Sequence, residues 1–224
     1  MEYKAANKTH SKRFNIRWQD RYLQLEDRST TTPFDSHYIY HPAWAARIIE
    51  LINPPFHVDI SSSLNFSTML SAFIPTQFYD YRPAQIRLDN LHCGAEDVTH
   101  LSFKDNSISS LSCMHVIEHI GLGRYGDYLD PVGDIKAVDE LKRVLSHEGH
   151  LLVVVPVSGV PRIEFNAHRV YSYTQIIDLF NEFELKDFSL IQDTPEGGQF
   201  YHHASKEQSD LQHYGCGCFW FQKT

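Results

Sequence analysis

The sequence predicts an open α/β sheet, doubly wound, with helices on both faces. Three observations lead there. Short runs rich in β-branched residues alternate with segments of helical spacing along most of the chain. Residues 151–155 read Leu-Leu-Val-Val-Val, a run that suits a central parallel strand covered on both sides. Residues 134–145 carry Ile135, Val138, Leu141 and Leu145 on one stripe, the spacing of an amphipathic helix packed on a sheet.

In chain order, residues 1–40 are polar and aromatic without clear period and read as an N-terminal arm or lid; residues 41–224 read as one domain. Pro42 is expected to open a helix over 43–52, stopped by Pro54 and Pro55. A strand is expected over 56–60, a helix over 61–73 and a second strand over 76–81. A third strand follows at 111–116. Asp134 reads as the N-cap of the helix 134–145, and Gly149 lies just past its end. After the strand 151–155 come a helix at 174–180 and strands at 184–191 and 216–221.

Composition narrows function. Lys and Arg total 20 against 28 Asp and Glu, a net charge of −8 that disfavours general nucleic-acid binding. No run approaches the roughly 18 apolar residues of a membrane helix, and residues 1–18 lack the apolar core of a signal peptide. The four cysteines, Cys93, Cys113, Cys216 and Cys218, are too few for a disulfide framework in a chain of this size. A cytoplasmic protein is expected. The 14 histidines are the compositional oddity.

Ligands of such sheets sit outside the carboxyl ends of the strands, at the point where strand order reverses. Polar residues at those ends are therefore the site candidates. Asp80 stands 21 positions after Asp59, about the ~20-residue offset at which a carboxylate meets a ribose hydroxyl pair in nucleotide-binding sheets. The same spacing also fits a solvated strand-end Asp.

Downstream lie three further stretches: 97–103 (Asp-Val-Thr-His-Leu-Ser-Phe), 116–119 (Val-Ile-Glu-His) and 142–150 (Lys-Arg-Val-Leu-Ser-His-Glu-Gly-His). In this order they resemble the class I S-adenosylmethionine-dependent methyltransferases, over roughly residues 55–222. That resemblance implies a seven-stranded, mostly parallel sheet and S-adenosylmethionine as cofactor. It implies that Asp59, Ser61, Ser62 and Ser63 form the first cofactor loop and that Asp80 holds the ribose, with Tyr81 or Arg82 beside the adenine. Asp97 and Val98 would meet the adenine amino group, and Met114 and His115 the sulfonium side. The usual first loop is glycine-rich, whereas here three serines stand in it; their hydroxyls and amides can still receive a carboxylate. Residues 121–127, 166–171 and 214–220 resemble a branch of methyltransferase-like proteins associated with bacterial surface-polysaccharide biosynthesis.

An alcohol acceptor must lose a proton, and His is the side chain matched to that task near neutral pH. His115, His119 and His168 are the candidate bases, with Glu118 orienting one of them. Arg124, Tyr125, Asp127, Tyr128 and Asp130 are expected over the acceptor mouth, where they suit a saccharide or another polyhydroxylated small molecule. Two other readings stand beside this one. The glycine-free loop fits a non-catalytic scaffold on the same fold. His115, Glu118 and His119 match H-x-x-E-H, a metal-hydrolase pattern that requires one helical face. Cys216 and Cys218 share a strand face and are read as buried thiols, with no metal ligand set expected.

Overall fold

A computed structural model of the chain describes residues 14, 17–25, 28, 30–194 and 198–224. Of the expected arm, residues 1–13, 15, 16, 26, 27 and 29 lie outside the described residues. The chain forms two compact units, Met1–Pro33 and Phe34–Thr224. The first has a short 3-10 turn, Trp18–Asp20, closed by a 2.7 Å ion pair between Arg17 and Asp20.

The second unit begins with helix α1, Ser36–Ile52. Its start lies upstream of the expected one because Asp35 caps it, accepting the Tyr38 N–H at 3.3 Å. Pro42 is inside the helix, not at its opening. Next come β1 (His57–Ser61), α2 (Leu64–Leu70), β2 (Thr76–Asp80), β3 (Leu91–Ala95) and β4 (Ile108–Met114). Helix α3 (Gly133–Val144) passes directly into β5 (Leu145–Val157). A β6 (Arg162–Glu164) and β7 (His168–Val170) hairpin follows, then α4 (Tyr173–Leu179), β8 (Phe183–Ile191), β9 (Phe200–Tyr201), α5 (Lys206–Asp210) and β10 (Gly215–Lys223).

The main sheet runs β3-β2-β1-β4-β5-β10-β8-β9. Strands β1 to β5 pair in parallel, and β10 is antiparallel to both of its neighbours. This is the Rossmann-like sheet of class I methyltransferases, with the two-residue β9 added as an eighth strand at the edge. Strand order reverses between β1 and β4.

Both faces of the sheet are buried, as the 151–155 run requires. Leu151, Val153 and Val155 join Ala137, Val138 and Leu141 of α3 in one core, together with Ile176 of α4. Leu152 and Val154 join Trp44, Ala45 and Ile48 of α1 and Phe66 and Leu70 of α2 in the other. Burying Leu or Val side chains of this kind stabilises by roughly 1.5–3 kcal/mol each.

Two local expectations are corrected. Asp134 does not cap α3. It is buried within the first turn, where it accepts from the Tyr171 hydroxyl at 3.0 Å and faces Arg169 at 3.4 Å. Gly149 is not a helix stop: the helix ends at Val144, and the register of β5 against β4 shifts between the Ile108–Leu145 and Ser110–His150 pairs. Among the described residues, no helix is long and apolar enough to cross a membrane.

Candidate active site

The parallel strands β1 to β4 deliver their carboxyl ends to one edge of the sheet, and a cavity of about 500 Å³ opens there. Each end contributes polar groups: Ser61 and Ser62 after β1, Asp80 to Arg82 after β2, Glu96 and Asp97 after β3, and His115 after β4. Sites of this size and placement are the ordinary ligand crevices of open α/β sheets.

The two expected adenosine carboxylates are positioned by local turns. Asp80 Oδ1 accepts the Arg82 N–H at 2.6 Å. Asp97 Oδ1 accepts the Thr99 N–H at 2.9 Å and its hydroxyl at 2.7 Å. Among the described residues, the second oxygen of each carboxylate accepts no hydrogen bond. Val98 lines the same wall, beside Tyr79 and Ile60.

The first loop is held differently from a glycine-rich one. Both hydroxyls, of Ser61 at 3.3 Å and of Ser62 at 3.4 Å, donate to the Met114 carbonyl. Asp59 does not face the cavity. It shares a sheet face with His57 and points into the core, where the Ser67 and Ser112 hydroxyls donate to it. Burial raises its carboxyl to about 7, against the lowering effect of the serine hydroxyls. Burial likewise lowers His57 to about 3; its ring lies between Ser110 at 2.7 Å and Ser112 at 2.9 Å. Ser63 stands at the N-cap position of α2, outside the cavity lining. The Met114 side chain is fully buried with Phe66 and Trp44, so it is the carbonyl of this residue that shapes the loop.

Beyond β4 the chain turns at His115, whose φ of 55° takes the backbone out of the strand. A three-residue 3-10 turn follows, Ile117–His119. The H-x-x-E-H residues therefore do not share a helix, which removes the geometry the hydrolase reading needs. Both ring nitrogens of His115 are engaged: Nδ1 with Glu118 Oε1 at 2.8 Å and Nε2 with Cys216 Sγ at 3.6 Å. Burial disfavours charge on this ring, but the Cys216 sulfur and then the Glu118 carboxylate oppose that and favour the protonated form. Cys216 and Cys218 are both fully buried, and burial pushes the Cys216 thiol well up.

His119 differs. Its Nδ1 lies 2.7 Å from the Ala167 carbonyl, so Nδ1 carries the proton and Nε2 keeps its lone pair. Burial lowers its pKa, so the ring is neutral near pH 7. His168 sits on the β6–β7 hairpin, 3.2 Å from Glu164, and is not part of the cavity wall. Glu118 lies beneath the wall, buried, within reach of both His115 and His119.

The loop after this turn forms the outer wall. Gly121 has φ of 78°, and a Cβ there would lie 2.1 Å from the Asp130 carbonyl oxygen, so glycine is required. Asp127 receives the backbone N–H groups of Gly121 (2.8 Å), Gly123 (3.3 Å) and Tyr125 (3.2 Å). Although burial acts the other way, those donors hold its carboxyl below the usual range. Tyr125 and Tyr128 line the cavity. The Arg82 guanidinium lies 4.8 Å from the Tyr125 ring centre, linking the β2 wall to this loop. Arg124 also stacks on Tyr125 and donates to the Ala167 carbonyl at 3.1 Å; it braces the wall rather than lining it.

Sequence reasoning missed Glu96, Lys136 and the pairing of Lys136 with Asp130. Glu96 directly precedes Asp97 and was available as a strand-end acid. Asp130 and Lys136 form a 2.7 Å ion pair across the start of α3, a contact between separate elements that no local pattern announces.

A family model described as "Caenorhabditis protein of unknown function, DUF268" matches residues 90–215, more than half of the chain. The chain belongs to this family. The match takes in most of the DUF268 cavity wall, from Glu96 to Lys136, while β1 and β2 precede it. An uncharacterized protein of Methanocaldococcus jannaschii is 30% identical over 97 residues, 42% of this DUF268 chain and 36% of that protein's length. Among solved structures, the chain resembles 1,6-didemethyltoxoflavin-N1-methyltransferase of Burkholderia thailandensis, with bound 1,6-didemethyltoxoflavin and S-adenosylhomocysteine: TM-score 0.58, 12% identity, 83% of this chain and 79% of that one. It also resembles the N-methyltransferase NodS of Bradyrhizobium japonicum WM9, in complex with S-adenosylhomocysteine: TM-score 0.57, 13% identity, 84% and 88%. At such identity these likenesses establish the class I methyltransferase fold.

Proposed function

We propose that this protein is an S-adenosylmethionine-dependent methyltransferase acting on a hydroxyl of a saccharide or similar polyhydroxylated small molecule. The observation that carries the reading is the cavity at the switch point, where Asp80 at the end of β2 and Asp97 after β3 each have a carboxylate oxygen uncommitted among the described residues. That donor set fits the cofactor. Asp80 would hold the ribose hydroxyls; Asp97 and Val98 would meet the adenine edge; the Ser61 and Ser62 end of the loop would receive the methionine part. When bound, the cofactor supplies an activated sulfonium methyl.

The chain's own residues then have two tasks, to align an acceptor and to take its proton. His119 is suited to the second, because its Nδ1–H is fixed on Ala167 and Nε2 is left as a base. His115 is less suited, since both of its nitrogens are engaged. Tyr125, Tyr128 and the Asp130–Lys136 pair give the acceptor side the mixed donors and acceptors that a polyol needs. The branch resemblance to polysaccharide biosynthesis gains no support from the family match, so the acceptor is argued from this chemistry alone.

Incubation with methyl-labelled cofactor and a panel of neutral saccharides tests the proposal. Labelled saccharide, lost in Asp80→Ala, is expected; label on protein or RNA instead would overturn the acceptor. The glycine-free first loop favours the scaffold reading, under which S-adenosylmethionine and S-adenosylhomocysteine leave the thermal stability of the protein unchanged.

A further inference from the structure

We propose that His37, His115 and Cys216 form a binding site for a borderline-soft divalent transition-metal ion, with zinc the natural probe. The proposal goes beyond the methyltransferase reading and does not depend on it. One donor atom from each residue lies within 4.8 Å of the other two. The tightest edge is the most telling. His115 Nε2 and Cys216 Sγ are 3.6 Å apart, and a tetrahedral zinc with bonds of about 2.05 Å to nitrogen and about 2.3 Å to sulfur sets an N···S edge of roughly 3.6 Å.

The surroundings match a metal site more closely than a packed core. Glu118 holds the far nitrogen of His115 at 2.8 Å, the carboxylate–histidine arrangement that aims a ligating imidazole and fixes its tautomer. His41 stands one turn beyond His37 on α1, and its ring centre is 5.1 Å from that of His115. His41 Nδ1 meets the His37 carbonyl at 2.6 Å, while its fully buried Nε2 has no hydrogen-bond partner among the described residues. One oxygen of Glu118 is likewise buried without a partner there. Buried polar atoms ordinarily find partners, and a cation drawing in the rings of this cluster would account for several at once. The half-buried His37 offers the way in from solvent.

The three ligands come from α1, from the residue after β4 and from β10, so the ion would tie the first helix of this unit to the middle of its sheet. On binding, the Cys216 S–H proton and the His115 Nε2 proton are both released to solvent, and the thiolate sulfur and the freed imidazole nitrogen form the bonds to the metal. His115 is then fixed as a ligand, which leaves His119 as the imidazole free to act at the cavity. Imidazole plus thiolate selects zinc, or cobalt in its place, over magnesium or calcium.

The test uses the full chain stripped with chelator, titrated first with cobalt(II) and then with zinc, with far-ultraviolet circular dichroism reporting the fold. One equivalent of cobalt should give a thiolate-to-cobalt charge-transfer band that zinc removes. Cys216→Ser should abolish the band; His37→Ala should weaken cobalt binding by at least about tenfold; Cys218→Ser should keep both band and affinity. His37 is only partly buried, so that variant decides the matter if Cys216→Ser does not fold. No band at one equivalent in the unaltered chain, or unchanged cobalt affinity in folded His37→Ala, overturns the proposal. Titration of the same samples with S-adenosylhomocysteine reports on the cofactor site separately.

Discussion

His57 and Asp59 sit two residues apart on one face of β1, joined through Ser112, and their burial has opposite consequences for stability. Burial lowers His57 from 6.5 to about 3, so its contribution is complete above pH 6.5 and is lost as pH falls from there toward 3. Burial raises Asp59 from 3.8 to about 7, so its contribution is complete below pH 3.8 and is lost as pH rises through 7. Between about pH 4 and 6.5 the two slopes oppose each other. Asp59→Asn removes one of them, and the variant should gain on the unaltered protein by up to about 1.4 kcal/mol per pH unit across that window. Denaturant titrations at pH 4.5 and 6.5 measure this; parallel pH profiles would contradict it. At His119, the lowered pKa places the acid limb of methyl transfer below pH 6.5. His119→Gln should abolish that limb and lower kcat by about 10²–10⁴ while S-adenosylhomocysteine affinity is retained. A variant with full kcat would remove His119 from the chemistry. Asp80 was legible because an acid ending a readable strand has a local signature, whereas Asp97 follows the unread β3 and came only from the resemblance of residues 97–103. The burial of Asp59 was not legible, because it depends on Ser67 and Ser112, partners supplied by other elements.

The same contrast holds among the elements. Strands built from β-branched or aromatic runs, such as β5 and β10, could be read directly, whereas β3 could not. Its Leu-His-Cys-Gly-Ala sequence has little intrinsic strand preference, and it forms because β2 offers an unpaired edge and Gly94 admits the Tyr79 ring beside it. Helix α1 was misread at its start because Pro42 suggested an N-terminus, while the Asp35 cap lies seven residues earlier. The loop after β4 is held by Asp127 and by the left-handed backbone of Gly121. Gly121→Ala should cost more than about 1 kcal/mol, because strain at positive φ adds to the contact with the Asp130 carbonyl. Urea denaturation reads this loss, and unchanged stability would mean that the loop adopts another path.

At the scale of the whole molecule, the fold class followed from alternation and burial alone, since a strand apolar on both faces demands helices on both sides. The cavity followed from topology, because parallel strands send their loops to one edge and the reversal of order between β1 and β4 opens a crevice there. The acceptor did not follow, for its wall is assembled from Tyr125, Asp130 and Lys136 across the 3-10 turn and α3. The central claim is that this edge grips a nucleoside cofactor through Asp80. Isothermal titration with S-adenosylhomocysteine tests it most directly. One molecule per chain should bind, with affinity reduced at least about tenfold in Asp80→Ala and the fold unchanged. Absence of binding in the unaltered protein, or equal affinity in the variant, would contradict the account.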